Sequence, residues 1–195
     1  MKRAAVRLTG GTARGRILKS APGEGMRPAL AILRKSLFDI LGPRVADRRV
    51  LDLFAGAGSL GFEALSRGAS FCRFVESNRH CAAAIEANIA TLGFTGSSEV
   101  LVADVFRPDR YLGEGSPFHI VFVAPPYRYF TDPSFARSLA GTLERLASAP
   151  ALENDALIIV EHREGEGLSS PIPRLEQIDE RRYGQTVLLF FRKID

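Results

Sequence analysis

Residues 50–61 read Val-Leu-Asp-Leu-Phe-Ala-Gly-Ala-Gly-Ser-Leu-Gly, and this segment is the strongest indication of the fold class. An apolar run with one carboxylate gives way to small residues and glycine, and helix-forming residues follow. This order predicts a buried strand, a tight turn and a helix N-terminus, the junction at which α/β proteins hold nucleotide-like ligands. Gly56, Gly58 and Gly61 fit the pattern G-x-G-x-x-G, and Glu76 ends the next apolar run. A tight turn without a ligand is the alternative, but the acid at the end of the next strand favours a ribose-binding site.

The composition is that of one folded domain. The chain has 195 residues, of which 46% are hydrophobic and 25% charged, which suits one full α/β domain and is too short for two large ones. No apolar run approaches the roughly 20 residues that cross a bilayer, and the first residues lack the apolar core of a secretory signal. Cys72 and Cys81 predict neither a disulfide framework nor a metal site, so we expect no metal, no membrane contact and a cytoplasmic location.

Positive charge is concentrated near the N-terminus. Residues 1–49 contain 12 Lys and Arg against 3 Asp and Glu, whereas residues 50–195 contain 14 against 19. A basic N-terminal segment joined to a slightly acidic remainder predicts a polyanion-binding extension on a catalytic or ligand-binding core. A solvated basic surface without a partner gives the same pattern.

The basic N-terminal segment begins with a predicted hairpin. Residues 4–9 and 14–19 flank a Thr-Gly-Gly-Thr turn and are typical of two paired strands. Arg side chains suit phosphate because the planar guanidinium donates two parallel hydrogen bonds. The Pro- and Gly-containing residues 21–25 predict a boundary, which divides the chain into residues 1–25 and 26–195. The basic side chains of the hairpin are Arg7, Arg14, Arg16 and Lys19.

The rest of the chain alternates apolar strands with helical patterns. This alternation predicts a mostly parallel sheet with helices on both faces. The last two strands have no helix between them, so we expect an antiparallel hairpin at one edge. The predicted strands cover residues 50–54, 70–76, 98–102, 118–123, 156–161, 174–182 and 186–192, and the predicted helices cover residues 27–41, 59–67, 78–92 and 133–147.

Three acids lie at or near the ends of successive strands, at the edge where an open α/β sheet binds ligands. Asp52 lies in the first predicted strand of the sheet, Glu76 ends the second and Asp104 follows the third. Glu76 is placed to accept hydrogen bonds from both ribose hydroxyls, and Asp104 or the backbone of Val105 to bind an adenine amino group. Taken singly, each acid also fits a purely structural role, as a strand-end or helix-capping residue without a ligand.

These motifs resemble a known family. The turn from Asp52 to Gly58, Glu76, Asp104 and the Pro-Pro-Tyr of residues 125–127 are similar to S-adenosylmethionine-dependent methyltransferases that act on exocyclic amines. Over nearly all its length the chain resembles the bacterial 16S ribosomal RNA guanine-N2 methyltransferase family. The matching segments are residues 15–19, 27–28, 37–41, 51–58, 63–69 and 182–184.

The resemblance implies a Rossmann-like methyltransferase fold with a seven-stranded sheet. It also implies methyl transfer from S-adenosyl-L-methionine to the N2 amine of a guanine in 16S ribosomal RNA, within a 30S particle or an assembly intermediate, by a monomer. The guanine would be turned out of its RNA context to meet the methyl group. The residues implied for the cofactor are Asp52, Phe54, Ala55, Gly56, Gly58, Glu76, Ser77, Asp104 and Val105. Those for RNA are Arg7, Arg14, Arg16, Lys19, Arg27 and Arg34, and those of the catalytic motif are Ala124, Pro125, Pro126 and Tyr127.

One catalytic position departs from the family pattern. Ala124 stands where the family has Asp, whose carboxylate and a following backbone carbonyl accept the hydrogens of the substrate amine. Three explanations are open: an active enzyme that uses the Pro125 carbonyl and another acceptor, a weakened member, or a member whose Asp was replaced on purpose to trap a complex. Glu161 and His162 are candidates for the other acceptor, although ordinary strand-end polar residues fit the pattern as well. Met26 also replaces the family's Thr before Arg-Pro.

Two other hypotheses remain. An RNA- and cofactor-binding protein without activity is one, because of Ala124. A nicotinamide-dependent oxidoreductase would use the same glycine pattern, but the Pro-Pro-Tyr and the terminal hairpin disfavour it. The three histidines lack metal-ligand spacing, and no Ser, Thr or Cys lies in a nucleophile motif. Tyr127 fits the position that stacks on the base, with a buried aromatic residue as the alternative.

Overall fold

The computed structural model describes residues 5–21, 28–113, 115–126, 132–165, 168 and 171–195. Within these residues the strands are β1 (Val6–Arg7), β2 (Ile17–Leu18), β3 (Arg49–Leu53), β4 (Phe71–Glu76), β5 (Ser98–Val102), β6 (Phe118–Val123), β7 (Leu152–Arg163), β8 (Leu175–Tyr183) and β9 (Thr186–Lys193). The α-helices are α1 (Pro28–Leu41), α2 (Ser59–Ser66), α3 (Arg79–Leu92) and α4 (Pro133–Ser148), and short 3₁₀ helices cover Gly42–Val45 and Pro108–Arg110.

Seven of the strands form one sheet in the order β5-β4-β3-β6-β7-β9-β8. The pairs among β3, β4, β5, β6 and β7 are parallel, whereas β9 runs antiparallel to both β7 and β8. The predicted seven-stranded, mostly parallel sheet with an antiparallel C-terminal hairpin is confirmed. The strand order reverses at β3, between β4 and β6, and this is the place where open α/β sheets bind ligands.

Two apolar clusters cover the two faces of the sheet, because side chains of a strand alternate between its faces. The first, which we call the α1–α3 face, joins Leu37, Phe62 and Ile85 to alternate strand residues such as Phe122. The second, the α4 face, joins Leu139 and other α4 residues to the intervening strand positions. The helices therefore lie on both sides of the sheet, as predicted.

The N-terminal hairpin is smaller than predicted. Within residues 5–21, the strand pairs are Val6–Leu18 and Arg7–Ile17, whereas six residues were expected on each side. The chain between them binds the end of α2: Thr12 N–H donates to the Ser66 carbonyl at 2.7 Å, and Ala13 N–H donates to Ser66 Oγ at 2.8 Å. These bonds fix the turn of the hairpin to α2.

The hairpin also shares its core with the main sheet. Val6, Leu8 and Leu18 are buried in the same cluster as α1 and α2, and the Asn88 side chain of α3 exchanges two hydrogen bonds with the backbone of Lys19, at 2.9 and 2.8 Å. A basic segment is thus fixed against the folded domain. The proposed boundary at residue 25 stays a prediction, since residues 22–27 lie outside those described.

Strand β7 is longer than predicted. It starts at Leu152, not at Ala156, and its pairing with β6 shifts between Phe118 and Ile120. Asp155, inside the strand, has a φ of 63°. An irregularity of this kind interrupts the alternation of apolar residues, which hides the first part of the strand in the sequence. In the described part of the chain, no helix is both long and apolar enough to cross a membrane.

Candidate active site

The turn after β3 has an unusual backbone. Phe54, Gly56 and Gly58 all have positive φ values, of 57°, 55° and 73°. A left-handed conformation is costly for a bulky residue such as Phe54, so the surrounding structure must hold it. Two bonds do so: Ala55 N–H donates to the Val75 carbonyl of β4 at 3.2 Å, and Gly58 N–H donates to the Ala55 carbonyl at 2.7 Å.

Glu76 connects this turn to the end of β4. One carboxylate oxygen accepts from Gly56 N–H and the other from Asn78 N–H, both at 2.8 Å. The side chain is only 9% exposed, and the exposed Ser77 follows it. Asn78 in turn caps α3 by accepting from His80 N–H at 2.9 Å. The structure therefore brings the glycine turn and Glu76 into contact.

Asp52 lies beneath the turn and not on its surface. It is 2% exposed, and its carboxylate accepts from Gly61 N–H in α2 at 2.9 Å. A Cβ on Gly61 would collide with Phe74 and would approach Cys72 Sγ to 2.6 Å, so only glycine lets α2 pack so closely on the sheet. Asp52 therefore positions the turn from below, and its predicted contact with the cofactor stays a prediction.

The buried environment of Asp52 yields a pH prediction. Burial, with a smaller effect from Glu76, raises the pKa of Asp52 to about 8. The unfolded chain releases this proton near pH 4 and the folded chain near pH 8, so the ionisation lowers stability as the pH rises between these values. Asp52→Asn should remove this dependence. Thermal unfolding should be measured at pH 5 and pH 8. The stability of Asp52→Asn relative to the original chain should be higher at pH 8 than at pH 5. The same stability difference at both pH values would contradict the prediction.

Asp104 and Val105 follow β5 at the same edge of the sheet. Asp104 is exposed, and one of its oxygens accepts from Phe106 N–H at 3.0 Å. Val105 is buried, and its carbonyl accepts from the Tyr111 hydroxyl at 2.8 Å. Ala103 N–H donates to the Glu76 carbonyl at 3.2 Å, which keeps this segment beside Glu76.

Three aromatic rings support this edge, and the sequence did not reveal them as a group. Phe106 lies 5.9 Å from Phe54 and 5.4 Å from Phe135, measured between ring centroids. Phe54 and Phe106 are half-buried, so each keeps part of its surface open to the edge. No short-range pattern indicates that α4 contributes Phe135 here, because the contact depends on how α4 packs on the sheet.

The predicted catalytic motif begins directly after β6. Ala124 N–H donates to the Leu53 carbonyl at 3.4 Å, which sets Ala124 beside the start of the glycine turn. Ala124 is half-buried, Pro125 is buried and Pro126 is exposed. Tyr127 lies outside the described residues, so its stacking role stays a prediction.

Four of the predicted RNA-binding residues are exposed on the hairpin. They are Arg7, Arg14, Arg16 and Lys19. Their orientation is partly fixed, since Arg7 Nη1 donates to the Gly15 carbonyl at 2.6 Å and Arg16 Nη2 donates to the Thr91 carbonyl at 3.1 Å. Arg27 lies outside the described residues.

Arg34 contradicts its prediction. It is 1% exposed, lies 3.4 Å from the Glu63 carboxylate through Nε, and donates through Nη2 to the Arg7 carbonyl at 2.6 Å. Burial lowers the pKa of Arg34, and Glu63 opposes that shift. A side chain enclosed in this way cannot reach RNA. It joins α1 to the hairpin instead.

Glu63 of α2 is the centre of that junction. Its side chain is fully buried and accepts from Thr9 N–H at 2.9 Å, from Thr9 Oγ1 at 2.7 Å and from Arg67 Nε at 2.9 Å. A buried carboxylate requires such partners, because an uncompensated charge is costly in the protein interior. The hairpin is therefore held by a charged network in addition to its apolar side chains.

Comparison with known proteins places this geometry in a family. The model of the family described as conserved hypothetical protein 95 matches residues 6–192. The chain is 33% identical over 189 residues to ribosomal RNA small subunit methyltransferase D of Escherichia coli (strain K12), covering 96% of this chain and 90% of that protein. The chain belongs to the small-subunit methyltransferase D family.

Other members agree with this placement. A putative rRNA methyltransferase of Bacillus subtilis, YlbH, is 31% identical over 96% of this chain and 99% of its own length. A solved structure described as a putative methyltransferase, yhhF from Escherichia coli, superimposes with a TM-score of 0.80 at 31% identity, covering 97% of this chain and 98% of that one. Beyond the family, TrmN from Thermus thermophilus shares the fold, with a TM-score of 0.69 at 17% identity over 86% of this chain and 50% of that one.

Proposed function

We propose that this chain transfers a methyl group from S-adenosyl-L-methionine to the exocyclic N2 amine of a guanine in small-subunit ribosomal RNA. Membership of the small-subunit methyltransferase D family supports an rRNA methyltransferase. The observation that carries the proposal is the contact of Glu76 with Gly56 N–H at the sheet edge where Asp104 and Ala124 also lie. The N2 position and the 30S particle as substrate are our proposals, as are a monomeric state and a cytoplasmic location.

The turn fits a nucleoside. A Cβ on Gly56 would have no heavy atom closer than 3.9 Å, which shows open space where the backbone can approach a ligand. Glu76 would accept from the ribose hydroxyls with its remaining lone pairs, and Asp104 with Val105 would bind the adenine end. Phe54, Ala55, Gly58 and Ser77 would line the rest of the site.

When bound, the sulfonium cofactor supplies an activated methyl group. The protein therefore has to hold the guanine amine in line with that methyl group and to accept the hydrogens of the amine. The backbone carbonyl of Pro125 is one acceptor, and Tyr127 would stack on the base. The basic hairpin would bind the surrounding phosphates and leave the base free to turn out of the RNA.

Methyl transfer to undermethylated 30S particles tests the function. We expect labelled methyl groups from S-adenosylmethionine to appear in 16S rRNA as N2-methylguanosine. Ala124 favours a second candidate, a binding protein with impaired catalysis, because Ala offers no side-chain acceptor. Transfer that is absent with this chain and appears with Ala124→Asp would support that second candidate.

The exposed cations of the hairpin yield a further prediction. Replacing Arg14, Arg16 and Lys19 together with Ala should weaken RNA binding and reduce its salt dependence by about one unit for each lost phosphate contact. Binding should be measured by RNA titration at several salt concentrations, and cofactor affinity by calorimetry, which should hardly change.

A matched control removes the same charge elsewhere. Arg181, Arg182 and Arg192 are exposed on β8 and β9 and pair with Asp179, Glu180 and Glu176. Their triple replacement by Ala should affect RNA binding less than the hairpin variant. Equal losses in the two variants would mean that net charge, not the hairpin, governs binding.

A further inference from the structure

Ala124 has a carboxylate neighbour on the adjacent strand. Strands β6 and β7 pair in parallel, with Phe122 opposite Ile159 and Val123 opposite Val160. Continued by one residue, this register sets Ala124 beside Glu161. Ala124 still follows the ladder at this point, because its N–H donates to the Leu53 carbonyl on its other side at 3.4 Å.

Both positions lie on the same face of the sheet. Val123 and Val160 belong to the α4 face, whereas Phe122 and Ile159 belong to the α1–α3 face. Because side chains alternate along a strand, the next position on each strand returns to the α1–α3 face. The antiparallel neighbour supports this assignment, since Glu161 pairs with Leu188, a residue of that face.

The same face carries Glu76 of the cofactor edge. In β4, Phe74 lies on the α1–α3 face and Val75 on the α4 face, which returns Glu76 to the α1–α3 face. Glu161 is half-buried, so part of the residue is exposed. The other candidate acceptor, His162, does not share this position. It is 7% exposed and pairs with Val187, a residue of the α4 face.

We propose that Glu161 supplies the carboxylate that position 124 lacks. The inference rests on the proposed function. Neighbouring strands are about 4.8 Å apart, and the Glu side chain is one methylene longer than Asp, so Glu161 can bring an oxygen to the space beside the Ala124 methyl group.

The Glu161 carboxylate accepts a hydrogen bond from the guanine N2 amine, next to the Pro125 carbonyl. The amine lone pair forms the N–CH₃ bond as the S–CH₃ bond breaks, and the bonding pair returns to sulfur, which becomes a neutral thioether. The nitrogen then releases one proton to Glu161, from which it passes to water. A carboxylate in this position stabilises the positive charge that develops on the nitrogen.

Single-turnover methyl transfer to undermethylated 30S particles tests the assignment. The full chain is compared with Glu161→Gln, with the double variant Ala124→Asp/Glu161→Gln, and with Glu164→Gln. Glu164 is an exposed carboxylate just after β7 that pairs with Arg182 at 3.2 Å, so it is a matched control. Thermal unfolding and calorimetric titration with S-adenosylmethionine accompany each rate over a range of pH.

Glu161→Gln is expected to slow transfer by about 10²–10³-fold, as the loss of one preorganised group typically does, while cofactor affinity stays unchanged. The acid limb of the rate–pH profile should disappear with it, and the double variant should regain both rate and acid limb. Glu164→Gln should match the original chain. If Glu161→Gln leaves the rate and the pH profile unaltered, the assignment of Glu161 is overturned and the proposed function is not. The same holds if the rate lost in Glu161→Gln is not restored by Ala124→Asp. Absence of transfer by the original chain would overturn the proposed function together with it.

Discussion

Glu63→Ala is expected to lower the free energy of unfolding by about 3–5 kcal/mol, because it breaks the buried ion pair between Arg34 and Glu63. It also removes the acceptor of both the N–H and the hydroxyl of Thr9. For a chain of this size the loss corresponds to a melting temperature lower by roughly 6–20 °C. Calorimetric unfolding measures it directly.

Asp39→Ala is the matched control for this prediction. It breaks the ion pair between Asp39 and Lys35 on α1, which is exposed, and exposed pairs contribute little to stability. The melting temperature of this variant should remain close to that of the original chain. Equal and small effects of both substitutions would contradict the junction we describe between hairpin and domain.

Glu76→Ala should produce the largest loss of cofactor affinity. Hydrogen bonds to a charged group contribute about 1.5–3 kcal/mol each, so losing those to two ribose hydroxyls should weaken S-adenosylmethionine binding by roughly 10²–10⁴-fold. The turn also loses its anchor, since Gly56 N–H no longer has an acceptor in Glu76. Isothermal titration calorimetry with S-adenosylmethionine measures the change.

Two comparisons make the Glu76 result specific. Glu86→Ala removes an exposed carboxylate from α3 and should leave binding unchanged. RNA affinity of Glu76→Ala should also stay close to that of the original chain, because the hairpin is far from this carboxylate in sequence and has its own contacts with α2. Full cofactor affinity in Glu76→Ala would remove the basis for the cofactor site.

The sequence predicted the features that depend on local pattern. The strand, turn and helix over residues 50–61 follow from the apolar run and the glycines, and the acid at the end of β4 follows from the length of one βα unit. These features are encoded by neighbouring residues, so they can be read without the fold. The contact between Gly56 and Glu76 then results from pairing β3 with β4 in parallel.

Features that depend on packing were missed or misread. Arg34 was expected to bind RNA because of the family resemblance, yet it is buried in an ion pair with Glu63 of α2. The burial of Asp52 was not predicted, because it results from the close approach of α2 at Gly61. In both cases the deciding neighbour is on another element, which periodicity along one segment does not indicate.

The inference at position 124 combines the sequence with the pairing of strands β6 and β7. The sequence identified the missing carboxylate and named Glu161 and His162 as candidate acceptors, and the register of β6 and β7, continued by one residue, favours Glu161. Neither observation alone assigns the acceptor.

The central claim is that the edge of the sheet beside Glu76 and Ala124 brings a methyl donor to a guanine amine of 16S rRNA. Its most direct test is mass spectrometry of nucleosides from undermethylated 30S particles incubated with the purified chain and S-adenosylmethionine. We expect N2-methylguanosine to form in this reaction and not in one with Glu76→Ala. Recovery of 16S rRNA without new methyl groups, or with the new methyl group on another base, would contradict it.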